Sequence, residues 1–238
     1  MKKIGVYFGT FAPMHIGHLH QVYKAAFEND EVLLVASGFD DDRGAKIGLD
    51  LNRRVSALTE FFSDESHIHV VKLDENDLPP MPDGWDEWTS RLLEFVHSIA
   101  EGEIFKATFY VGEEEYVTEL RKRFPLNENT YLAKIADRSN IPISATQIRS
   151  QPQKNWEKII PTFQPYFVKR VKIKTVNADL LILRLNKLFA NSGVQFVSTA
   201  TPIYDLELEC HQRQLLQDFY TIIDQVNKIY DLEVLRLK

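Results

Sequence analysis

Lys3-Ile4-Gly5-Val6-Tyr7-Phe8, followed by Gly9-Thr10-Phe11-Ala12-Pro13-Met14-His15-Ile16-Gly17-His18, is the stretch that decides the fold. Lys3–Phe8 is a short apolar run with β-branched and aromatic members, closed by a glycine, which reads as a buried strand. From His18 to Asn29 the apolar residues Leu19, Val22, Tyr23, Ala26 and Phe27 recur at helical spacing. The stretch is therefore a strand, a loop with Gly9, Pro13 and Gly17, and the opening of a helix. A helix mouth directs free backbone N–H groups and the positive end of the helix dipole at one place, so the loop reads as an anion site. His15 and His18 are three residues apart, share one face of the first turn and can each donate a ring N–H to a phosphate oxygen. Gly17, without a side chain, permits close approach to the backbone.

The same strand-then-helix pattern continues outward. Glu31–Ser37, His67–Leu73, Lys106–Val111 and Thr130–Ile135 read as strands, and Leu51–Phe62, Trp85–Ala100 and Glu115–Arg123 as helices. Leu78–Gly84, with three prolines and a glycine, is a loop. Five short apolar strands alternating with helices predict an α/β fold: a doubly wound, parallel, five-stranded sheet. Ligands of such sheets bind beyond the carboxyl ends of the strands, which singles out the loops after Phe8, Ser37, Leu73, Val111 and Ile135. Composition shifts near Pro161, where PTFQPYF forms a connector. Beyond it, Val168–Val176 and Val194–Val197 read as strands, Ala178–Ala190 and Leu206–Tyr230 as helices, and the final LEVLRLK as one more strand. The expected organisation is a first domain over residues 1–171 and a small α/β appendage over 172–238.

Bulk properties narrow the function class. A net charge of −6 over 238 residues gives no general attraction for nucleic acid or an anionic membrane. Positive charge for a phosphate ligand must be local. Cys210 is the single cysteine, so no intrachain disulfide or cysteine-based zinc site can form. No run of about 18 apolar residues occurs. The N-terminal apolar run ends too early for a signal peptide, so a cytoplasmic location is expected.

G-T-F-x-P-x-H-x-G-H resembles the signature of the HxGH nucleotidyltransferase superfamily. His15-Ile16-Gly17-His18 also spells the motif of class I aminoacyl-tRNA synthetases, but no KMSKS-like segment accompanies it. A second segment, Ile143-Ser144-Ala145-Thr146-Gln147-Ile148-Arg149, is similar to the ISxTxxR motif of the same superfamily. It reads equally as a helix start capped by Ser144. Three further segments, Gly38-Phe39-Asp40-Asp41-Asp42-Arg43, Pro82–Thr89 and Gln151–Val171, resemble the adenylyltransferase domain of NadR-type proteins. That resemblance covers about residues 1–171.

The resemblance implies transfer of AMP from ATP to nicotinamide mononucleotide (NMN), giving NAD and pyrophosphate. It implies catalytic roles for His15, His18 and Arg149, and ATP or phosphate contacts at Gly9, Thr10, Phe11, Gly17, Ser144 and Thr146. Gly112 and Glu113, after the fourth strand, would shape the adenine and ribose pocket. Arg54 falls where the superfamily often places a phosphate-facing arginine, though an arginine on an amphipathic helix is as often solvated or ion-paired. Lys46 and Arg43 are other candidates. On the NMN side, the pyridinium ring is flat and cationic and suits aromatic faces. Trp85 or Trp88 would stack on it, unless they pack helix to sheet. Asp40 and Arg43 would border the same pocket. Mg²⁺ is expected to be held mainly by the ATP phosphates, with no metal site of the protein's own.

Other acceptors, such as nicotinate mononucleotide, phosphopantetheine or a choline-like phosphate, and a non-catalytic NAD or ATP sensor, are the alternatives. NadR-type proteins often continue into a ribosylnicotinamide kinase domain. Here Asn177-Ala178-Asp179-Leu180 follows the expected strand where a P-loop would need G-x-x-x-x-G-K-[ST], and Gly193 is the only glycine after Gly112. Residues 172–238 therefore read as a kinase-domain remnant without kinase activity. The amphipathic runs there pack against the first domain or form a subunit contact in a homo-oligomer.

Overall fold

The computed structural model describes residues 1–137, 141–175, 178–209 and 215–235. They fall into two compact units, Met1–Ala145 and Thr146–Lys238.

The first unit is the predicted doubly wound sheet. Its strands are β1 (Lys2–Gly9), β2 (Glu31–Gly38), β3 (Ile68–Asp74), β4 (Phe105–Val111) and β5 (Thr130–Ile135), all parallel in the order β3-β2-β1-β4-β5. The connecting helices are α1 (Ile16–Glu28), α2 (Leu51–Phe61), α3 (Trp85–Ala100) and α4 (Glu114–Arg123). Chain order reverses direction at β1, where the crossover after β3 jumps to β4. Right-handed crossovers therefore place α1 and α2 on one face and α3 and α4 on the other. Ile4, Val6, Leu33, Val35, Phe105, Ala107, Phe109 and Val111 meet Trp88, Leu92, Val96 and Leu120 in the core on the α3–α4 face. Gly5 belongs to the α1 face, where a Cβ would meet Ala25 and Asn29. This alternation along β1 decides what each residue at its tip can reach.

The second unit holds α5 (Ala145–Ser150, which begins at the boundary), β6 (Lys169–Lys174), α6 (Ala178–Leu188), β7 (Val194–Val197), β8 (Leu206–Glu209) and α7 (Leu215–Tyr230). Its three strands are parallel in the order β7-β6-β8. Its own core gathers Val171, Ile173, Leu181, Leu185, Phe196, Ile222 and Val226. Residues 146–171, expected to belong with the first domain, lie in this unit. Gln153 Nε2 donates to the Phe167 carbonyl at 2.7 Å, Lys154 pairs with Asp231 at 2.5 Å, and the Trp156 ring occupies the space a Cβ on Gly193 would take.

Two expectations fail here. The single helix expected over Leu206–Tyr230 is a strand, β8, and a separate helix, α7. Leu206 and Leu208 are half-buried against the core while Glu207 and Glu209 alternate outward, which is strand parity. The strand expected at the C-terminus is not formed over 232–235, and 236–238 lie outside the described residues, as does Cys210. No helix among the described residues is long and apolar enough to cross a membrane.

Candidate active site

At the tip of β1 the chain leaves the sheet through Thr10 and turns at Phe11, whose φ of 47° lies in the left-handed region. It re-enters regular structure at His15, the N-cap of α1. His15 Nδ1 accepts the Gly17 N–H at 3.1 Å and the His18 N–H at 3.4 Å. The sequence reading expected these N–H groups to face a ligand; His15 occupies them instead. Because Nδ1 accepts, the His15 proton sits on Nε2, and that atom becomes the ring's donor. The cap thus takes up two backbone donors and leaves the ring N–H on Nε2.

The His18 ring stacks on His15, with centroids 3.8 Å apart and planes 20° from parallel. Phe11 meets the His18 ring edge-on at 5.2 Å, and Tyr7 lies 6.3 Å from it. The pair is therefore held against protein rings, and His15 is only 3% exposed. Two imidazolium charges at this separation would repel by about 4 kcal/mol at an effective dielectric near 20. Gly17 completes the arrangement: a Cβ there would lie 3.1 Å from the His15 ring and 3.3 Å from Ile143 Cγ2. Its missing side chain lets Ile143, the first residue of the second motif, lie against the first motif. Ser144 follows, exposed. Thr146 and Arg149 belong to the second unit, where Arg149 Nη2 donates to Thr146 Oγ1 at 3.0 Å.

Of the readings open for Arg54, the structure shows the ion-paired one and not the phosphate-facing one. Arg54 is fully buried, paired with Asp42 at 2.5 Å, and donates from Nη1 to the Thr10 carbonyl at 2.6 Å and the Ser37 carbonyl at 3.3 Å. Asp42 Oδ1 in turn accepts the Gly44 and Ala45 N–H groups at 2.7 and 2.9 Å. Gly38 makes room for this knot, since a Cβ there would collide with Asp42 and Arg54. Arg54 is a brace. By drawing the Thr10 carbonyl inward it turns the trans Thr10–Phe11 peptide, so that the Phe11 N–H points the opposite way. The two loops beyond β1 and β2 are locked together by one buried ion pair. Asp40, Arg43 and Lys46 are exposed on the second of these loops. The Asp40 N–H donates to Asn76 Oδ1 at 2.8 Å, tying that loop to the one after β3.

On the other face of β1, Phe8 enters an aromatic cluster. Its ring lies 5.0 Å from Trp88 and 5.3 Å from Tyr116, and Trp85 lies 5.8 Å from Trp88 and 5.0 Å from Tyr116. Trp85 and Trp88 are 3% and 2% exposed, so the faces expected to stack on a ligand are turned onto protein rings. Phe8 and Tyr116 are the members with exposed surface. Trp88 Nε1 donates to Glu75 Oε1 at 3.0 Å. Burial raises the Glu75 carboxyl above its ordinary range; the hydrogen bonds from Trp88 and Ser37 oppose that, and Asp42 reinforces it. Burial also raises the Tyr116 hydroxyl, helped by Glu75 and opposed by Arg43. Gly112 is half-buried at the tip of β4. Glu75, Tyr116 and Phe8 were not singled out from sequence; the available signal was parity, which sends Phe8 to the face opposite Tyr7. Among the described residues no group of three or more His, Cys, Asp or Glu is gathered for a metal.

Comparison with known proteins agrees with this geometry. The cytidylyltransferase-like family model matches residues 6–151. The trifunctional NAD biosynthesis/regulator protein NadR of Salmonella typhimurium is 31% identical over 180 residues, covering 72% of this chain and 42% of that protein. The chain thus corresponds to about two fifths of that relative's length. A crystal structure of a NadR protein in complex with NR is 32% identical, covers 100% of this chain and 98% of its own, and superposes with a TM-score of 0.85. A second, of a NadR protein in complex with NAD and AMP-PNP, is 36% identical over 98% of this chain and 79% of its own, with a TM-score of 0.74. A strand-to-helix turn with stacked HxGH histidines, on a sheet of this order and with these relatives, identifies the chain as a member of the cytidylyltransferase-like family and, within it, a NadR-type nucleotidyltransferase.

Proposed function

We propose that the chain is a nicotinamide mononucleotide adenylyltransferase. A 5′-phosphate oxygen of NMN attacks the α-phosphorus of ATP in line. The bond from that phosphorus to the bridging oxygen breaks, and pyrophosphate leaves with the bond's electrons. Both reactants are anions, so the barrier lies in repulsion and alignment, and no enzyme-bound intermediate is required. The observation that carries this reading is the stacked His15–His18 pair, whose cap makes His15 Nε2 a donor at the mouth of α1. His15 and His18 stabilise charge on the transferring phosphates, and the Phe11 N–H, aimed by Arg54, holds a phosphate oxygen beside Gly9 and Thr10. Ser144, Thr146 and Arg149 orient the triphosphate, Arg149 as a fixed charge. Gly112 borders the adenosine pocket. The pyridinium rests on Phe8 and Tyr116, backed by Trp85 and Trp88, with Asp40 and Arg43 at the rim. Mg²⁺, bound to the phosphates, supplies further charge neutralisation.

The NadR relatives support the substrate assignment, because the solved ones are complexes with NR and with NAD and AMP-PNP. Residues 172–238 are read as a kinase-domain remnant without phosphoryl transfer, on the absence of a P-loop after β6. Pyrophosphate release from ATP is the test, measured with NMN, nicotinate mononucleotide and phosphopantetheine in turn. Release with NMN, matched by NAD, is expected. Tight NAD binding without turnover would replace the enzyme by a sensor.

A further inference from the structure

A site that gathers polyanions has a carboxylate at its edge that the transfer chemistry does not use. Glu75 follows β3 directly, in one of the loops that the topology assigns to ligands. It is half-buried, and one carboxylate oxygen is fixed by the indole N–H of Trp88. The Trp88 ring in turn packs edge-on against Phe8, and Tyr116 closes the same cluster at 5.9 Å from Trp88. Next to it lies Asp42, whose charge is taken up by Arg54. Ser37 also donates to the Glu75 carboxylate and Arg54 attracts its charge, but Arg54 is paired with Asp42, and among the described residues no ion pair to Glu75 is formed.

A half-buried, unpaired carboxylate repels phosphates and costs folding energy. Such an arrangement is useful when its ligand supplies positive charge or N–H donors at that spot. Aromatic faces with an adjoining carboxylate are the general chemistry for a flat organic cation. Of the groups in the proposed reaction, the pyridinium carboxamide alone combines ring cation, amide N–H donors and no negative substituent. A pyridine carboxylic acid would place its own carboxylate against Glu75.

We infer that Glu75, oriented by Trp88, is the specificity-determining residue that selects a pyridinium amide mononucleotide over the corresponding acid. This rests on the adenylyltransferase reading above. Glu75 accepts from the amide –NH₂ and faces the ring's charge, and the same carboxylate repels the nicotinate group. Rejection works through an introduced like charge as much as through a gained contact. Trp88 is a positioning residue that keeps the Glu75 carboxylate in place.

The test is kcat/KM for NMN and for nicotinate mononucleotide at saturating ATP, in the wild-type chain, Glu75→Gln and Trp88→Phe. Wild type should prefer NMN. Glu75→Gln, which keeps shape and an acceptor oxygen but loses the charge, should lower the NMN-to-nicotinate ratio about tenfold or more, through KM for the mononucleotide, with KM for ATP unchanged. Trp88→Phe should lower the ratio less, in the same direction, and stands in if Glu75→Gln fails to fold. A folded Glu75→Gln with a ratio within about twofold of wild type, or a wild-type preference for nicotinate mononucleotide, would overturn the assignment of Glu75 while leaving the adenylyltransferase reading intact. No NAD from NMN and no product from nicotinate mononucleotide in the wild type would instead overturn that reading, and this inference with it.

Discussion

The two units begin alike and end differently. In each, the first strand is central in a parallel sheet, β1 between β2 and β4 and β6 between β7 and β8, and a helix follows it. The connection from β1 to α1 has six residues, Thr10 to His15, with a left-handed turn at Phe11, a carbonyl held by Arg54 and a histidine cap. The connection from β6 to α6 has three residues and no glycine, and α6 opens with Asp179 in its first turn. The same topological position is proposed as a reaction centre in the first unit, where the connection turns back and carries groups that hold it. A shared strand-to-helix topology does not by itself confer chemistry.

The sharpest way to break this contrast is to remove a brace. Arg54→Met leaves Asp42 buried without its partner and the Thr10 carbonyl without a donor. Denaturant unfolding should show a loss of about 3–5 kcal/mol, the usual cost of breaking a buried pair from one side. A loss under about 0.5 kcal/mol, the range of an ordinary surface change, would mean that the loop is held some other way. A second variant pair separates His15's two tasks. His15→Ala should cost about 1 kcal/mol of stability by losing the cap. His15→Asn should recover that stability, because asparagine caps well, yet leave kcat depressed, because its amide does not reach as the imidazole Nε2 does. Full recovery of kcat in His15→Asn would reduce His15 to a structural cap.

Much of the first unit was legible because its signals are local. Trp85–Ala100 and Thr130–Ile135 match their predicted spans residue for residue, since helical and alternating periodicities are carried by the residues themselves. The HxGH turn was legible for the same reason. What escaped depends on side chains distant in sequence meeting in space. Arg54 had phosphate-facing, solvated and ion-paired readings open, and only the convergence of Asp42 and the Thr10 and Ser37 carbonyls on it decides between them. Trp85 and Trp88 had two readings open, and packing against Phe8 and Tyr116 turned both inward. Glu75 stands after a strand with no neighbour in sequence to mark it. In the second unit, Leu206–Glu209 was absorbed into a helix because four alternating residues are too short a run to outweigh the long helical pattern after them.

Smaller effects sharpen the comparison further. Burial raises the Glu75 carboxyl above its ordinary value, because the ionised form is less well solvated in the folded protein than in the unfolded chain. Any stability this confers is present below the ordinary glutamate range and is lost as pH rises through the higher folded value, because the unfolded chain ionises first. Glu75→Gln should therefore gain in Tm relative to wild type as pH rises above the ordinary glutamate range. A pH-independent difference would show that the carboxylate is not strained by burial. The smallest effect is expected at the second turn. Asp179→Ala should cost about 0.3–1 kcal/mol by removing a favourable charge from the start of α6, and leave NAD synthesis unchanged. A large fall in kcat would show that the second connection also serves the reaction.

The central claim, that the β1–α1 turn performs adenylyl transfer through its stacked histidines, is tested most directly by steady-state kinetics of His18→Ala with ATP and NMN. His18→Ala should show a kcat reduced about 10²–10³-fold, with KM for either substrate much less affected, in a protein that still melts like wild type. A near-wild-type kcat in that variant would contradict it.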